Sequence, residues 1–151
     1  MWYINVEHGI QIDAPPSAVW EVFSDVERWP EWAASFEEVR GLDGAALDVG
    51  RRFAIKQPRL PRLVWEVTDL VPGASWTWRQ RSVGATTLGF HELTPIGDGA
   101  TALRQRIEHR GPLGVASGLL VLPQTRRYLA LEAEGLKGRA EQRRADGAAS
   151  G

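Results

Sequence analysis

From Phe36 to Arg110 the chain reads as strand after strand. The segments "FEEVRGL", "RRFAIKQ", "LVWEVTDLV", "SWTWRQRS", "TTLGFHELTP" and "TALRQRIEHR" are parted by "DGAALDVG", "PRLPR", "PGA", "VGA" and "IGDGA". A turn at about every ten residues is the spacing of an antiparallel meander. In "SWTWRQRS" the two-residue period of a strand puts Trp76, Trp78, Gln80 and Ser82 on one face and Thr77, Arg79 and Arg81 on the other. Such a sheet has an apolar face that something must cover.

The cover comes from the two flanks. Trp2, Ile4, Val6, Ile10 and Ile12 alternate loosely about Gly9 and read as a first strand. In "DAPPSAVWEVFSD", prolines suited to a first turn precede Val19, Trp20 and Phe23 at helical spacing. In "DVERWPEWAASF", Pro30 pushes Trp29 toward extended backbone and can start a second short helix carrying Trp32. After the sheet, Val115, Leu119, Leu122, Leu129, Ala133, Leu136 and Ala140 recur at three- and four-residue steps, with Arg126 interrupting the stripe. Pro123 should kink or divide this helix. The expected fold is α+β: a strand, two short helices, six more strands and a long C-terminal helix. One domain over 1–144 is expected, with 145–151 a disordered tail.

Composition narrows the function. The 151 residues carry 18 basic and 19 acidic side chains, a formal net charge of −1. That balance argues against a nucleic-acid or a general anionic-membrane partner, both of which favour a basic excess. With no cysteine there is no disulfide, thiolate nucleophile or cysteine-based metal site. The opening residues lack a basic segment followed by an apolar run, and "PLGVASGLLVLP" falls short of the about 20 residues a membrane span needs. A soluble, cytoplasmic protein without stable membrane insertion is the expectation. "GLDGAALDVG" and "IGDGA" lack the lysine and strand–helix context of a phosphate loop.

Two stretches carry a more specific likeness. "IQIDAPPSAVWEVFSDVERWPEWAASF" and "GFHELTPIGDGATALRQRIEHRGPLG" resemble the START-like or SRPBCC superfamily, in particular its polyketide cyclase/dehydrase and lipid-transport branch. The likeness covers roughly residues 3 to 140; the section from 50 to 83 fits its strand rhythm with little that is specific. The resemblance implies a helix-grip fold, in which a seven-stranded antiparallel sheet wraps the C-terminal helix around a hydrophobic cavity. Its members bind or transform sterols, lipids, polyketides, hormones and aromatic compounds, so the fold alone does not fix a function.

On the strand phases above, the cavity-facing candidates are Phe53, Ile55, Trp65, Val67, Trp76, Trp78, Gln80, Leu88, Phe90, Leu103, Gln105 and Ile107. The last helix adds Leu119, Leu122, Arg126 and Leu129, and Trp32 and Phe36 are candidates for the rim. Seven tryptophans would suit a planar or polycyclic ligand, although Trp20 and Trp29 also read as bolts between the short helices and the sheet. His91, Arg126 and Gln105 are the candidate catalytic groups: an imidazole that titrates near neutrality, a cation for an enolate or carbonyl, and an amide that needs a partner. With Phe90 facing inward, His91 would face solvent. His91 should lie opposite residue 105, four positions from His109 and too far for a shared metal. Glu66 and Asp69, read on opposite faces of one strand, form no carboxylate pair.

No metal and no cofactor is expected. The expected partner is a hydrophobic small molecule, bound by a monomer or homodimer. Two function classes compete. One is a cyclase or dehydratase acting on a polyketide-like molecule by confinement and proton transfer. The other is a carrier or sensor that only orients its ligand. A chaperone-assisting role is a third reading.

Overall fold

A computed structural model describes residues 2–150, with side chains to Ala148. Seven strands form one antiparallel sheet: β1 (Tyr3–Ile12), β2 (Glu38–Gly41), β3 (Arg52–Lys56), β4 (Leu63–Val71), β5 (Ser75–Ser82), β6 (Ala85–Ile96) and β7 (Ala100–Arg110). Their spatial order is β1-β7-β6-β5-β4-β3-β2, so the meander runs from β2 to β7 and the first strand closes its far edge. The helices are α1 (Pro16–Phe23), α2 (Pro112–Leu120) and α3 (Leu122–Ser150), with a 3-10 helix at Val26–Glu31. This is the helix-grip arrangement. No helix among the described residues is long and apolar enough to cross a membrane.

The break between the short helices falls at Ser24–Asp25, not at Trp29–Pro30. Pro30 sits inside the 3-10 helix, whose i→i+3 pattern leaves Trp29 helical rather than extended. Trp29 is fully buried, and its indole N–H donates to the Phe23 carbonyl at 2.8 Å. Its ring stacks on Phe23 and contacts Trp76, Trp78 and Phe36. Trp29 is therefore the bolt expected of it, at the centre of an aromatic cluster that fills one end of the space between sheet and helix.

The C-terminal helix is divided as Pro123 implied: α2 ends at Leu120, and α3 starts afresh at Leu122 with Pro123 in its first turn. Helical structure continues past Arg144 to Ser150, whereas the sequence reading ended the ordered domain at 144. Leu129, Ala133, Leu136 and Ala140 form the buried stripe of α3. At Gly135 the helix comes so close to the 3-10 helix that a Cβ would lie 2.0 Å from the Trp32 carbonyl oxygen.

A register shift between Val67 and Asp69 changes the face of the second half of β4. Glu66 then pairs with Arg79, and Asp69 with Thr77, so both carboxylates lie on the outer face instead of opposite ones.

Candidate functional site

The inner face of the sheet is set by β5, where Trp76, Trp78 and Gln80 are buried. Register carries that face to β6 through Trp76↔His91, Trp78↔Gly89 and Gln80↔Thr87. It reaches β7 through His91↔Gln105, Gly89↔Ile107 and Thr87↔His109. His91 does lie opposite Gln105, as the turn position implied. The inward set of β6 is thus Ala85, Thr87, Gly89, His91 and Leu93.

Leu88 and Phe90, expected inward, are on the outer face, and His91, expected toward solvent, is 5% exposed. The physical reason is Gly89. The Trp78 indole lies across it, and a Cβ there would stand 2.8 Å from Trp78 Nε1. Phe90 instead carries the Arg106 guanidinium over its ring at 3.8 Å.

Between this face, α2 and the start of α3 lies a cavity of about 330 Å³, at the small end of ligand pockets. Of the expected ligand-binding residues, Phe36, Ile55, Trp65, Trp78, Gln80, Ile107 and Leu129 line it, as do His91 and Gln105. Phe90 borders it with its side chain turned away. Phe53, Val67, Trp76 and Leu103 face inward but pack in the hydrophobic core. Trp32 is half-buried against Trp29, and Leu122 is half-buried outside the lining.

Two helical candidates are displaced. Arg126 is exposed, because the face of α3 that meets the cavity carries Gln124, Thr125, Tyr128, Leu129 and Glu132. Leu119 is 55% exposed, because α2 turns glycines rather than leucines toward the sheet.

Glu132, Gln105, Gln80, His91 and His109 give the cavity its chemistry. Glu132 is 4% exposed and has no hydrogen-bond or ion-pair partner among the described residues. Burial pushes its carboxyl up to about 8, so it is protonated near neutrality. The one other charged residue in the lining is Arg106, whose guanidinium lies on the outer face and offers no counter-ion. Gln105 is 1% exposed, and neither its amide nitrogen nor its oxygen has a partner. Gln80 differs in being satisfied, donating to the Arg81 carbonyl (2.9 Å) and to Ser82 Oγ (2.7 Å).

His91 stacks on Trp76 with ring centroids 4.1 Å apart. Its Nδ1 donates to the Trp76 carbonyl at 3.3 Å, which assigns the proton to Nδ1 and leaves Nε2 as an acceptor. Burial pushes this imidazole down to about 3 against the smaller effect of that hydrogen bond, so it is neutral. Burial also lowers His109, whose Nδ1 lies 3.2 Å from Thr87 Oγ1 and whose Nε2 is buried without a partner. At neutral pH the cavity therefore offers hydrogen-bond donors and acceptors but no net charge.

One wall is tied down by polar contacts. Gln124 Nε2 donates to the Pro58 carbonyl at 3.2 Å and to the Tyr128 hydroxyl at 3.0 Å, and that hydroxyl in turn donates to the same carbonyl. The start of α3 is thereby fastened to the β3–β4 loop. Among the described residues no three His, Cys, Asp or Glu side chains come together as a metal site.

Glu132 is the group that reading the sequence missed. It stands three residues after Leu129 and four before Leu136, on the apolar stripe itself. A carboxylate at that spacing, on the buried stripe beside Leu129, is the signal the sequence holds.

Comparison with known proteins places this geometry. The Zhui aromatase/cyclase of Streptomyces sp. R1128 superposes with a TM-score of 0.77, over 94% of this chain and 96% of its own, at 19% identity. A norcoclaurine synthase of Thalictrum flavum, in complex with a transition-state analogue, gives 0.74 over 95% and 97% at 12% identity. A hypothetical protein of Helicobacter pylori gives 0.74 over 92% and 88% at 13% identity. At these identities the likeness is one of fold. No curated protein matches the sequence. The family described as polyketide cyclase/dehydrase and lipid transport matches residues 3–141, and the chain belongs to that family.

Proposed function

We propose that the protein encloses an uncharged, aromatic or polyketide-like small molecule and promotes its cyclisation or dehydration by proton transfer, with Glu132 as the acid and Gln105 and His91 orienting the ligand. The observation that carries this reading is the buried carboxyl of Glu132, unpaired and held protonated near neutrality in the cavity wall. A carboxylic acid with a raised pKa is suited to giving a proton at neutral pH. In the dehydration of a β-hydroxy ketone, Glu132 would protonate the departing hydroxyl, which leaves as water. The carboxylate so formed would take the proton from the α-carbon as the double bond forms, restoring the acid. The unpaired Gln105 amide would donate to the ketone oxygen, favouring the enol-like charge that develops there. Aromatic walls at Trp65, Trp78 and Phe36 would hold flat rings by contact.

The test is a panel of aromatic β-hydroxy ketones screened for binding by native mass spectrometry and for gain of conjugated absorbance. Glu132→Gln should keep binding and lose at least about a hundredfold in turnover, the usual share of one general acid. Turnover unchanged in Glu132→Gln would sink the catalytic assignment. Binding with no turnover of any member in the wild-type protein would favour the carrier reading, in which the same groups only orient the ligand.

A further inference from the structure

The helix α2 is inside out. Its buried positions are Gly114 and Gly118, while Leu113, Leu119 and Leu120 are 56%, 55% and 83% exposed. The glycines are there for close approach: a Cβ at Gly118 would stand 2.7 Å from the His109 ring and 2.9 Å from Ile4. A surface helix ordinarily turns leucine inward and charge outward. Here residues 112–125 carry no charged side chain at all.

The apolar surface extends beyond the helix. Val83, at the β5–β6 turn, is 92% exposed, and the Leu113 side chain lies against its neighbour Gly84. Trp2, 69% exposed, is joined to the start of α2 by the bond from Gly111 N–H to its carbonyl. Exposed apolar groups massed in this way mark an interaction surface.

Charge says what covers it. At this end of the molecule, residues 57–62, 80–87 and 109–131 contain no aspartate or glutamate, and the carboxylates beside them, Glu37, Glu38 and Glu108, are paired with Lys56, Arg62 and Arg110. Besides the paired Arg62 and Arg110, these segments carry Arg59, Arg81, Arg126 and Arg127, all exposed and none in a hydrogen bond or ion pair. The near-zero charge of the whole chain conceals this segregation, which is why composition alone argued against an anionic surface. A second copy would bring arginine against arginine. An anionic bilayer offers both an apolar layer for the leucines and phosphates for the arginines. At nine residues, about 14 Å, α2 is too short to span and long enough to lie in the headgroup layer.

We propose that α2, with Val83 and Trp2, docks the protein on an anionic phospholipid surface. Ser117 and Val121 also line the cavity, so the docked face adjoins its wall. The proposal does not rest on catalysis by Glu132, and its test uses no cavity ligand.

The full-length protein is sedimented with vesicles of phosphatidylcholine alone and with vesicles rich in phosphatidylglycerol, at low and high salt. Binding is expected to the anionic vesicles, and salt should weaken it. Leu120 is 83% exposed, so Leu120→Asp should leave the melting temperature unchanged and reduce the bound fraction about tenfold or more. Arg126→Gln combined with Arg127→Gln should do the same while sparing the apolar face. Absence of binding to anionic vesicles, equal binding to both lipids, or indifference to both variants would overturn the proposal. So would a dimer in sedimentation equilibrium that Leu120→Asp dissociates, since a second copy would then cover the face.

Discussion

Replacing Glu132 by glutamine should change how stability depends on pH, with a sign opposite to that of most carboxylates. The folded protein holds this carboxyl at about 8 against an ordinary 4.5. The unfolded chain therefore releases the proton at lower pH than the folded one. Stability from this group is complete below pH 4.5 and is lost as pH rises to about 8. At about 1.4 kcal/mol per pH unit the loss totals about 5 kcal/mol. His91 acts in the other direction. Its folded pKa of about 3 lies below the ordinary 6.5, so its contribution is complete above pH 6.5 and is lost as pH falls toward 3. His109, also lowered by burial, adds to the same acid-side loss.

Between pH 4.5 and 6.5 the slopes from Glu132 and His91 cancel, and only His109 tilts the curve. From pH 6.5 to 8 Glu132 alone acts, and the wild-type protein should lose about 2 kcal/mol. Glutamine at 132 keeps the shape and cannot ionise, so the variant should be flat over that upper interval. It should also be stabler than wild type at pH 7 by about 3 kcal/mol. Urea unfolding at a series of pH values, with constant m, measures both curves. A wild-type stability that is level from pH 6.5 to 8, or a Glu132→Gln curve that keeps the wild-type slope, would refute the buried, unpaired carboxyl.

Two further substitutions probe the same interior. Gln105→Leu removes an amide whose two polar atoms are buried without partners, so the ligand-free protein should gain about 1–3 kcal/mol in chemical denaturation, while its affinity for a ketone ligand falls. Trp29→Ala removes the centre of the aromatic cluster and its bond to Phe23, and should cost about 3–5 kcal/mol by the same measurement.

The sequence carried the order of elements because turns and periodicity are local. Pro123 divided the last helix where a missing N–H and a fixed φ allow a first turn, and the β6–β7 turn fixed His91 opposite Gln105. What failed depended on contacts between elements. The apolarity of Leu88 and Phe90 points them inward, but a strand's face is a choice between two phases, and here Trp78 makes it by lying across Gly89. Spacing alone puts Leu119 and Arg126 on one continuous stripe, but the break at Val121 resets the helical phase between α2 and α3. The shift in β4 that moved Asp69 to the side of Glu66 adds one unpaired residue, and nothing in "LVWEVTDLV" announces it.

The cavity itself has a simple origin in side-chain size. Read from the closed end toward α2, the inner pairs of β5 and β6 run Trp76↔His91, Trp78↔Gly89, Gln80↔Thr87 and Ser82↔Ala85. Bulk falls along that series while the backbones stay a fixed distance apart, so close packing cannot be kept to the end of the strands. The helices do not compensate, because α2 lays Gly114 and Gly118 against the same end. Polar groups without partners lie beside the space that opens. Gln105, in the row of His91, and Glu132, on α3, both border it. Both remain buried and unmatched. The unpaired amide and the protonated carboxyl both face that space, and each is a cost to the empty protein that a hydrogen-bonding ligand would relieve.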